Sequence, residues 1–115
     1  LLIGNGRVIT RDQNKISYDI TGNRPYIEKN PDSVLLKNLK EAIEAETKQK
    51  AVFKAFTGYT DTAVIAGKLH NTECMSYGPG SLQYAHKPDE FVEIRDIIRC
   101  EKVINHLVMS LCGEK

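Results

Sequence analysis

The first twenty residues have the hydrophobic pattern of antiparallel strands. Residues 15–20 alternate strictly between polar and apolar side chains, and the apolar ones fall on one side of the chain: Ile16, Tyr18 and Ile20. A period of two residues predicts a half-buried strand. Residues 1–10 predict an earlier strand that is interrupted at residues 4–6, where Gly-Asn-Gly is typical of a turn. The polar residues 11–14 predict the turn between the two strands.

This strand pattern stops at residues 21–25, whose sequence is Thr-Gly-Asn-Arg-Pro. Glycine and proline both oppose continued ladder pairing. The composition of the chain also changes here. We therefore predict a domain boundary between Ile20 and Asn30, and we divide the chain there into residues 1–22 and residues 23–115.

Three later stretches have apolar residues at helical spacing. The sequence Asn-Pro-Asp-Ser at residues 30–33 supplies capping side chains, a proline suited to a first turn and an acidic residue near the positive end of a helix dipole. The helix that follows should end near Thr47. A second helix should begin at residue 60 or 61 and run to about residue 68. A third should run from about residue 94 to a C-cap glycine near residue 113.

Two short apolar stretches lie between these helices, at residues 51–56 and 72–76. Each predicts a strand. The order helix, strand, helix, strand, loop, helix predicts an α/β layer with largely parallel strands. A sheet of so few strands would expose an edge and a face, so we expect this layer to be part of a larger domain.

The charge balance excludes some partner classes. The chain has 16 Lys and Arg against 15 Asp and Glu, a formal net charge of +1. This balance gives no electrostatic argument for binding nucleic acid or an anionic membrane. No apolar run approaches the length of a membrane span, and the pattern of a signal peptide is missing. Because the chain begins inside an apolar run and without a methionine, we expect a fragment or a processed product.

Cysteine spacing gives no indication of a metal site or a disulfide framework. The three cysteines are odd in number, widely spaced and form no Cys-x-x-Cys pair. This usage predicts reduced, mostly buried thiols in a cytosolic protein: Cys74, Cys100 and Cys112.

The long polar interruption at residues 77–90 is the main candidate for a site. It contains Gly78 and Gly80, whose backbone N–H groups could approach a carboxylate closely, and His86, which could be a metal ligand or a general base. Ligands of open α/β sheets bind beyond the carboxyl ends of strands, which is where residues 57–61 and 77–90 would lie. A solvated loop with a surface histidine is the alternative interpretation.

Other polar residues have simpler structural explanations. Asp61 is interpreted first as a helix cap and second as a substrate contact. His70 follows a predicted helix and His106 lies within one, so both are interpreted as structural or surface residues. No Ser-His-Asp or Cys-His set has an identifiable context in this sequence.

The loop sequence resembles a known enzyme family. Residues 77–93 read Tyr-Gly-Pro-Gly-Ser-Leu-Gln-Tyr-Ala-His-Lys-Pro-Asp-Glu-Phe-Val-Glu. They closely resemble the C-terminal signature of the zinc amidohydrolases that include acetylornithine deacetylase, succinyl-diaminopimelate desuccinylase, aminoacylase and carboxypeptidase G. Residues 56–63 look like the family's Gly-x-Thr-Asp segment, and residues 30–33 with the following helix also match. The resemblance covers about residues 24–111, and the loop is most similar to the acetylornithine deacetylase branch.

The resemblance implies a two-domain enzyme, a cytoplasmic homodimer of arginine or other amino-acid biosynthesis. Its α/β catalytic domain, a three-layer zinc-exopeptidase-like fold, would hold a two-metal centre. Residues 1–22 would be the last strands of an inserted α+β lid or dimerisation domain, and residues 23–115 would be the C-terminal segment of the catalytic domain. The implied substrate is an N-acyl amino acid or a dipeptide.

The resemblance also implies specific site residues. His86 would be a metal ligand. Gly78, Gly80 and Ser81 would form a loop bordering the substrate, and Thr60 and Asp61 would form a segment beside the site. Glu90 would support the loop, by hydrogen bonds to backbone N–H groups. The family's other ligands come from a His-x-Asp motif, a bridging aspartate and a Glu-Glu pair that includes the general base. The chain contains neither motif, so we expect no catalytic base in it and no activity from it alone.

Several alternatives stay open at this point. A non-catalytic module of the same fold, used for subunit interaction or ligand binding, would also explain the missing motifs. Within the enzyme class, acetylornithine leads as substrate, and a dipeptide or a succinylated amino acid follows. Zinc, cobalt and manganese all suit mixed histidine and carboxylate ligands.

Overall fold

The computed structural model describes residues 2–3, 7–12, 15–20, 26–56 and 58–113, of which residues 2–12 are described by their backbone alone. The predicted turns at residues 4–6 and 11–14 lie wholly or partly outside these ranges. The predicted domain boundary between residues 22 and 23 lies outside them as well, and so does Thr57.

The N-terminal strands form an antiparallel sheet in the order β1-β2-β3. Strand β1 is Leu2–Ile3, β2 is Arg7–Asp12 and β3 is Lys15–Ile20. Asp12 lies opposite Lys15, and Arg7 lies opposite Ile20. The predicted antiparallel pairing is thus confirmed, with β2 two residues longer than the sequence pattern indicated.

The prediction that β3 is half-buried is wrong. All six of its residues are exposed. The apolar side chains that alternation places on one face, Ile16, Tyr18 and Ile20, are 70%, 67% and 58% exposed. Alternation sets which side chains share a face, but burial also needs a second layer, and no described residue covers this face.

The three helices lie where their periodicity predicted them. Helix α1 is Val34–Thr47, α2 is Asp61–Leu69 and α3 is Ile94–Cys112. Ser33 is the N-cap of α1, and its Oγ accepts a hydrogen bond from the Leu36 N–H at 3.0 Å. The start is slightly later than expected, so Pro31 and Asp32 lie in the preceding turn and α1 has no acidic residue in its first turn.

A small core joins α1 to α3. Leu39 and Ala42 of α1 and Val103 of α3 are buried, and Ile43, Met75 and Leu107 pack around them. Nearby, His106 Nδ1 of α3 and Glu46 Oε1, close to the C-terminus of α1, are 2.9 Å apart and connect the two helices. Met75 belongs to the segment that precedes the candidate site, so this core holds the base of the site loop.

The two strands predicted in this half of the chain are not formed. Residues 51–56 and 71–78 run without a strand assignment, and no strand occurs within the ranges 26–56 and 58–113. A strand is defined by its partners, and these ranges provide none. The predicted parallel α/β layer is therefore not formed within residues 26–56 and 58–113.

Much apolar surface is exposed as a consequence. The solvent-accessible surface is 9910 Å², whereas a compact monomer of this mass exposes about 6,300 Å². Exposed apolar side chains occur on residues 51–56 and along α3, for example Val52, Phe56, Ile94 and Met109.

All three cysteines are free thiols. Cys100 is buried, Cys74 is half-buried and Cys112 is exposed, so the expectation that most are buried is wrong. None of the helices in the described ranges combines the length and apolar character that a membrane span requires.

Candidate functional site

The loop between Met75 and α3 is built around a single short 3₁₀ turn, Leu82–Tyr84. Ser81 is the N-cap of this turn, and its Oγ accepts a weak hydrogen bond from the Gln83 N–H at 3.4 Å. Accepting this bond leaves the Ser81 hydroxyl proton available for another partner. The residues Gly78, Gly80 and Ser81 are all exposed, so a small polar ligand can reach them.

His86 has a left-handed backbone conformation, with φ of 59°. Its N–H donates a hydrogen bond to Glu90 Oε2 at 3.2 Å, and the Glu90 N–H donates to the Lys87 carbonyl at 3.1 Å. The expectation that Glu90 supports the loop through a backbone N–H is therefore confirmed. Non-glycine residues with positive φ are uncommon; Lys48 and His70 adopt it as helix C-caps, whereas His86 adopts it inside a loop, which makes His86 the candidate.

Two further contacts close the loop. The rings of Tyr84 and Phe91 lie with centroids 4.6 Å apart at an interplanar angle of 42°. Gly80 has φ of +84°, and a Cβ on it would lie 3.2 Å from Val92 Cγ2. A Cβ on Gly78 would contact nothing within 4 Å. The loop's backbone path therefore requires glycine at position 80 but not at position 78.

The start of the loop rests on α3. Tyr77 lies beside Cys100 and Arg99, and burial, followed by the nearby Cys100 thiol, raises the pKa of the Tyr77 hydroxyl. Burial likewise raises the pKa of the Cys100 thiol. Both groups stay neutral at physiological pH, so this contact is packing rather than acid–base chemistry.

The second predicted segment, Thr60 and Asp61, lies at the start of α2. Thr60 occupies the N-cap position with extended backbone, but its side chain makes no capping hydrogen bond, and Asp61 lies in the first turn. The next residue, Thr62, places its Oγ1 2.9 Å from Ser76 Oγ. The structure thus joins the start of α2 to the residue that precedes the loop.

The other two histidines have the structural positions that the sequence indicated. His70 is exposed and caps the C-terminus of α2 with φ of 48°. His106 pairs with Glu46 on an open surface cavity of about 500 Å³ between α1 and α3. Neither lies in the loop of His86.

Sequence reasoning missed Glu73. Its carboxylate accepts hydrogen bonds at the N-terminus of α1, from Ser33 Oγ at 2.6 Å and the Leu35 N–H at 2.9 Å. The first of these bonds, and then the second, lower the pKa of Glu73 from its ordinary value. No local pattern could have revealed this contact, because about 40 residues separate Glu73 from its partners.

The residues present cannot hold a metal ion by themselves. Among the described residues, no three His, Cys, Asp or Glu side chains are grouped closely enough to bind one. A hydrolytic metal site needs three or more such ligands. His86 fits the chemistry of a single imidazole ligand, and any further ligands would have to come from beyond the side chains that the structure describes.

Comparison with known proteins places the chain in a family. The sequence profile described as peptidase family M20/M25/M40 matches residues 3–110. The chain belongs to this family. An α/β exopeptidase-like fold follows from M20/M25/M40 membership. No solved structure matches the chain significantly.

Among curated M20/M25/M40 relatives, the chain is 39% identical to acetylornithine deacetylase from Myxococcus xanthus over 41 residues, which cover 36% of this chain and 11% of that protein. It is 31% identical over 84 residues to a probable succinyl-diaminopimelate desuccinylase from Staphylococcus aureus strain MSSA476, covering 71% of this chain and 21% of that protein. The chain therefore spans about a fifth or less of the length of these relatives.

Proposed function

We propose that this chain is the C-terminal part of a metal-dependent amidohydrolase that removes an acyl group from an N-acylated amino acid, as in acetylornithine deacetylation. The single observation that supports this most directly is the conformation of His86 in its loop. The backbone of His86 is left-handed, and its N–H donates a hydrogen bond to the Glu90 carboxylate. The loop that contains His86 lies within residues 3–110, which match the family profile.

The names of the relatives support the substrate class. One relative is named as a deacetylase of acetylornithine and another as a probable desuccinylase of succinyl-diaminopimelate. Both names describe removal of an acyl group from an amino-acid nitrogen. Acetylornithine remains our leading substrate, and a succinylated amino acid or a dipeptide is the alternative.

The chain's own residues would position the substrate and one metal ligand. His86 would contribute an imidazole, and Gly78, Gly80 and Ser81 would offer backbone N–H groups and a hydroxyl proton to the substrate's carboxylate or acyl oxygen. Thr60 and Asp61 would border the same site from the start of α2. A divalent metal, zinc or else cobalt or manganese, supplies Lewis-acid polarisation of an amide carbonyl and a more acidic water.

The chain is proposed to be inactive alone. Its proposed contribution to the metal centre is the imidazole of His86. A glutamate acting as general base is expected from another part of the protein. The remaining proposals follow from the family resemblance: a cytoplasmic homodimer that binds neither nucleic acid nor a membrane. Residues 1–22 would belong to the lid domain of that enzyme, and residues 23–115 to its catalytic domain.

Replacing His86 tests the ligand assignment. Asparagine tolerates left-handed backbone, so His86→Asn removes the imidazole with little backbone strain. In the longer enzyme we expect His86→Asn to lower bound metal, measured by elemental analysis, and to reduce hydrolysis of acetylornithine sharply. The matched control is His70→Asn, which makes the same change at another left-handed histidine. Unchanged metal content in His86→Asn would refute the assignment.

Assaying the 115-residue chain with added zinc tests the second part of the proposal. We expect no hydrolysis of acetylornithine above that of buffer with zinc. Robust turnover would contradict the proposed dependence on residues outside the chain. If the longer protein also lacks activity toward acyl amino acids, the non-catalytic module becomes the better explanation.

A further inference from the structure

We propose that Glu73 is a positioning residue for the loop of His86, because it attaches the segment that leads into the loop to the N-terminus of α1. The inference concerns the orientation of the loop, and it rests on the proposed function only for the loop's role in metal and substrate binding. Glu73 itself lies outside the loop and is not proposed to touch metal or substrate.

The contact involves both carboxylate oxygens of Glu73. Oε2 accepts from Ser33 Oγ at 2.6 Å and from the Leu35 N–H at 2.9 Å. Oε1 accepts from the Val34 N–H and from Asn30 Nδ2, each at 3.2 Å. Four donors from one short stretch therefore fix the position and the orientation of a single side chain.

The partners explain why a carboxylate suits this position. The first N–H groups of a helix have no partners within the helix, and the helix dipole favours a negative charge there. Helix α1 has no acidic residue in its own first turn. Glu73 supplies the missing negative charge from a different part of the chain, and its hydrogen bonds are strengthened by that charge.

The backbone on both sides of Glu73 is held as well. Its own N–H donates to Asn71 Oδ1 at 2.8 Å, and Asn30 Nδ2 donates to Thr72 Oγ1 at 3.0 Å. Two residues later Met75 packs on the helical core, and Ser76 contacts Thr62 of α2 at 2.9 Å. The segment from 71 to 76 is therefore attached to both α1 and α2 although it pairs with no strand.

The loop that follows depends on this attachment. Its residues are exposed apart from the half-buried Ala85, so little packing fixes it from outside. Its orientation is set at its two ends, by residues 71–77 on one side and by α3 on the other. Loosening the contact of Glu73 releases the first of these ends.

Amide hydrogen exchange on the 115-residue chain tests this inference. We expect Glu73→Ala to speed amide exchange about tenfold at two sites. The first site is the start of α1, where the Val34 and Leu35 amides lose their acceptor, and the second is the His86 amide within the loop. Ser33→Ala removes the shortest of the hydrogen bonds to Glu73 together with the cap on the Leu36 N–H, so it should speed exchange at the Leu36 amide as well as at His86. The control is Glu101→Ala, which changes an exposed glutamate on α3 and should alter neither site.

Whether exchange becomes faster at both sites or only at the start of α1 decides between the two roles of Glu73. Faster exchange at Val34 and Leu35 with unchanged exchange at His86 would mean that Glu73 only caps α1, and would overturn the proposal. If Glu73→Ala does not fold, Glu73→Gln keeps the size and one acceptor oxygen, and the same comparison of the two sites decides the outcome. These measurements need neither metal nor substrate, so they do not depend on the proposed function.

The longer enzyme separates the two proposals. If the positioning role and the metal-binding role of the loop both hold, Glu73→Ala weakens metal binding. Glu73→Gln weakens it less, although position 73 supplies no ligand to the metal. A loop that loosens in exchange while metal affinity stays unchanged would support the positioning role and count against the proposed metal loop.

Discussion

Gly80 and His86 give the loop its shape, because both have left-handed backbone conformations, with φ of +84° and 59°. Glycine reaches this conformation at no steric cost, whereas other residues are strained there. The strain at His86 is offset by the hydrogen bond from its N–H to Glu90. Of the two glycines in this short polar run, the backbone therefore requires Gly80 but not Gly78.

The two glycines provide a matched pair of substitutions. Gly80→Ala should destabilise the loop by about 1–2 kcal/mol, because alanine is strained at positive φ and its Cβ would press on Val92. Gly78→Ala should have little effect, since a Cβ there meets open space. Amide exchange at His86 measures the loop's opening free energy in each variant. Equal effects of the two changes would contradict this account of the backbone.

Glu73 should also make stability depend on acid. Its pKa is lowered in the folded state, so the folded chain binds this proton less readily than the unfolded chain does. The stabilisation is therefore complete above the ordinary pKa of 4.5 and is lost as the pH falls through the lowered pKa.

Urea unfolding from about pH 7 down to about pH 3 measures this dependence. We expect Glu73→Gln to be less stable than the native chain at neutral pH and to lose less stability in acid. The control Glu101→Gln should follow the native pH profile. A native-like acid slope in Glu73→Gln would show that other groups cause it.

At the scale of elements, the helices were predicted correctly, whereas the strands predicted at residues 51–56 and 72–76 are not formed. Helical periodicity and caps are local signals, and they placed α2 and α3 within a residue or two of their observed ends. A strand needs a neighbour, and residues 51–56 have none in the described ranges. The hydrogen bonds of Glu73 at the N-terminus of α1 could not be predicted from local sequence either, because its partners lie about 40 residues away.

The packing of α1 on α3 should respond to a single core substitution. Leu39 is 2% exposed and contacts the buried Val103 region, so Leu39→Ala should cost about 2–5 kcal/mol. Leu69 on α2 is 67% exposed, and Leu69→Ala should change stability by about 0.5 kcal/mol or less. Urea titration followed by circular dichroism gives both values. A small effect at Leu39 would mean that this core does not stabilise the chain.

At the scale of the whole molecule, the chain exposes far more surface than its mass requires. Its 9910 Å² includes the apolar side chains of β3, of residues 51–56 and of one side of α3. The matched segment covers only 21% of a probable desuccinylase from Staphylococcus aureus, so most of that relative's length lies outside the match. We infer that other parts of the longer protein cover these surfaces. Composition alone could not show this, because the apolar fraction is ordinary.

This exposed surface should be detectable in solution. We expect the isolated chain to bind a hydrophobic dye and to self-associate, because many large apolar side chains are exposed and exposed apolar surface promotes association. Sedimentation and dye fluorescence measure both properties, and co-expression with the remainder of the proposed longer protein should suppress them. An isolated chain that is monomeric and binds no dye would contradict the inference.

The pairing of α1 with α3 has a consequence for biosynthesis. Glu46 and His106, which connect the two helices, are 60 residues apart in sequence. At about 5–20 residues per second, a ribosome needs about 3–12 s to travel from one to the other. Throughout that interval Leu39 and Ala42 have no partner helix. The nascent chain therefore presents an apolar helix face to the cell for seconds, which makes α1 a natural target for a chaperone that acts during translation.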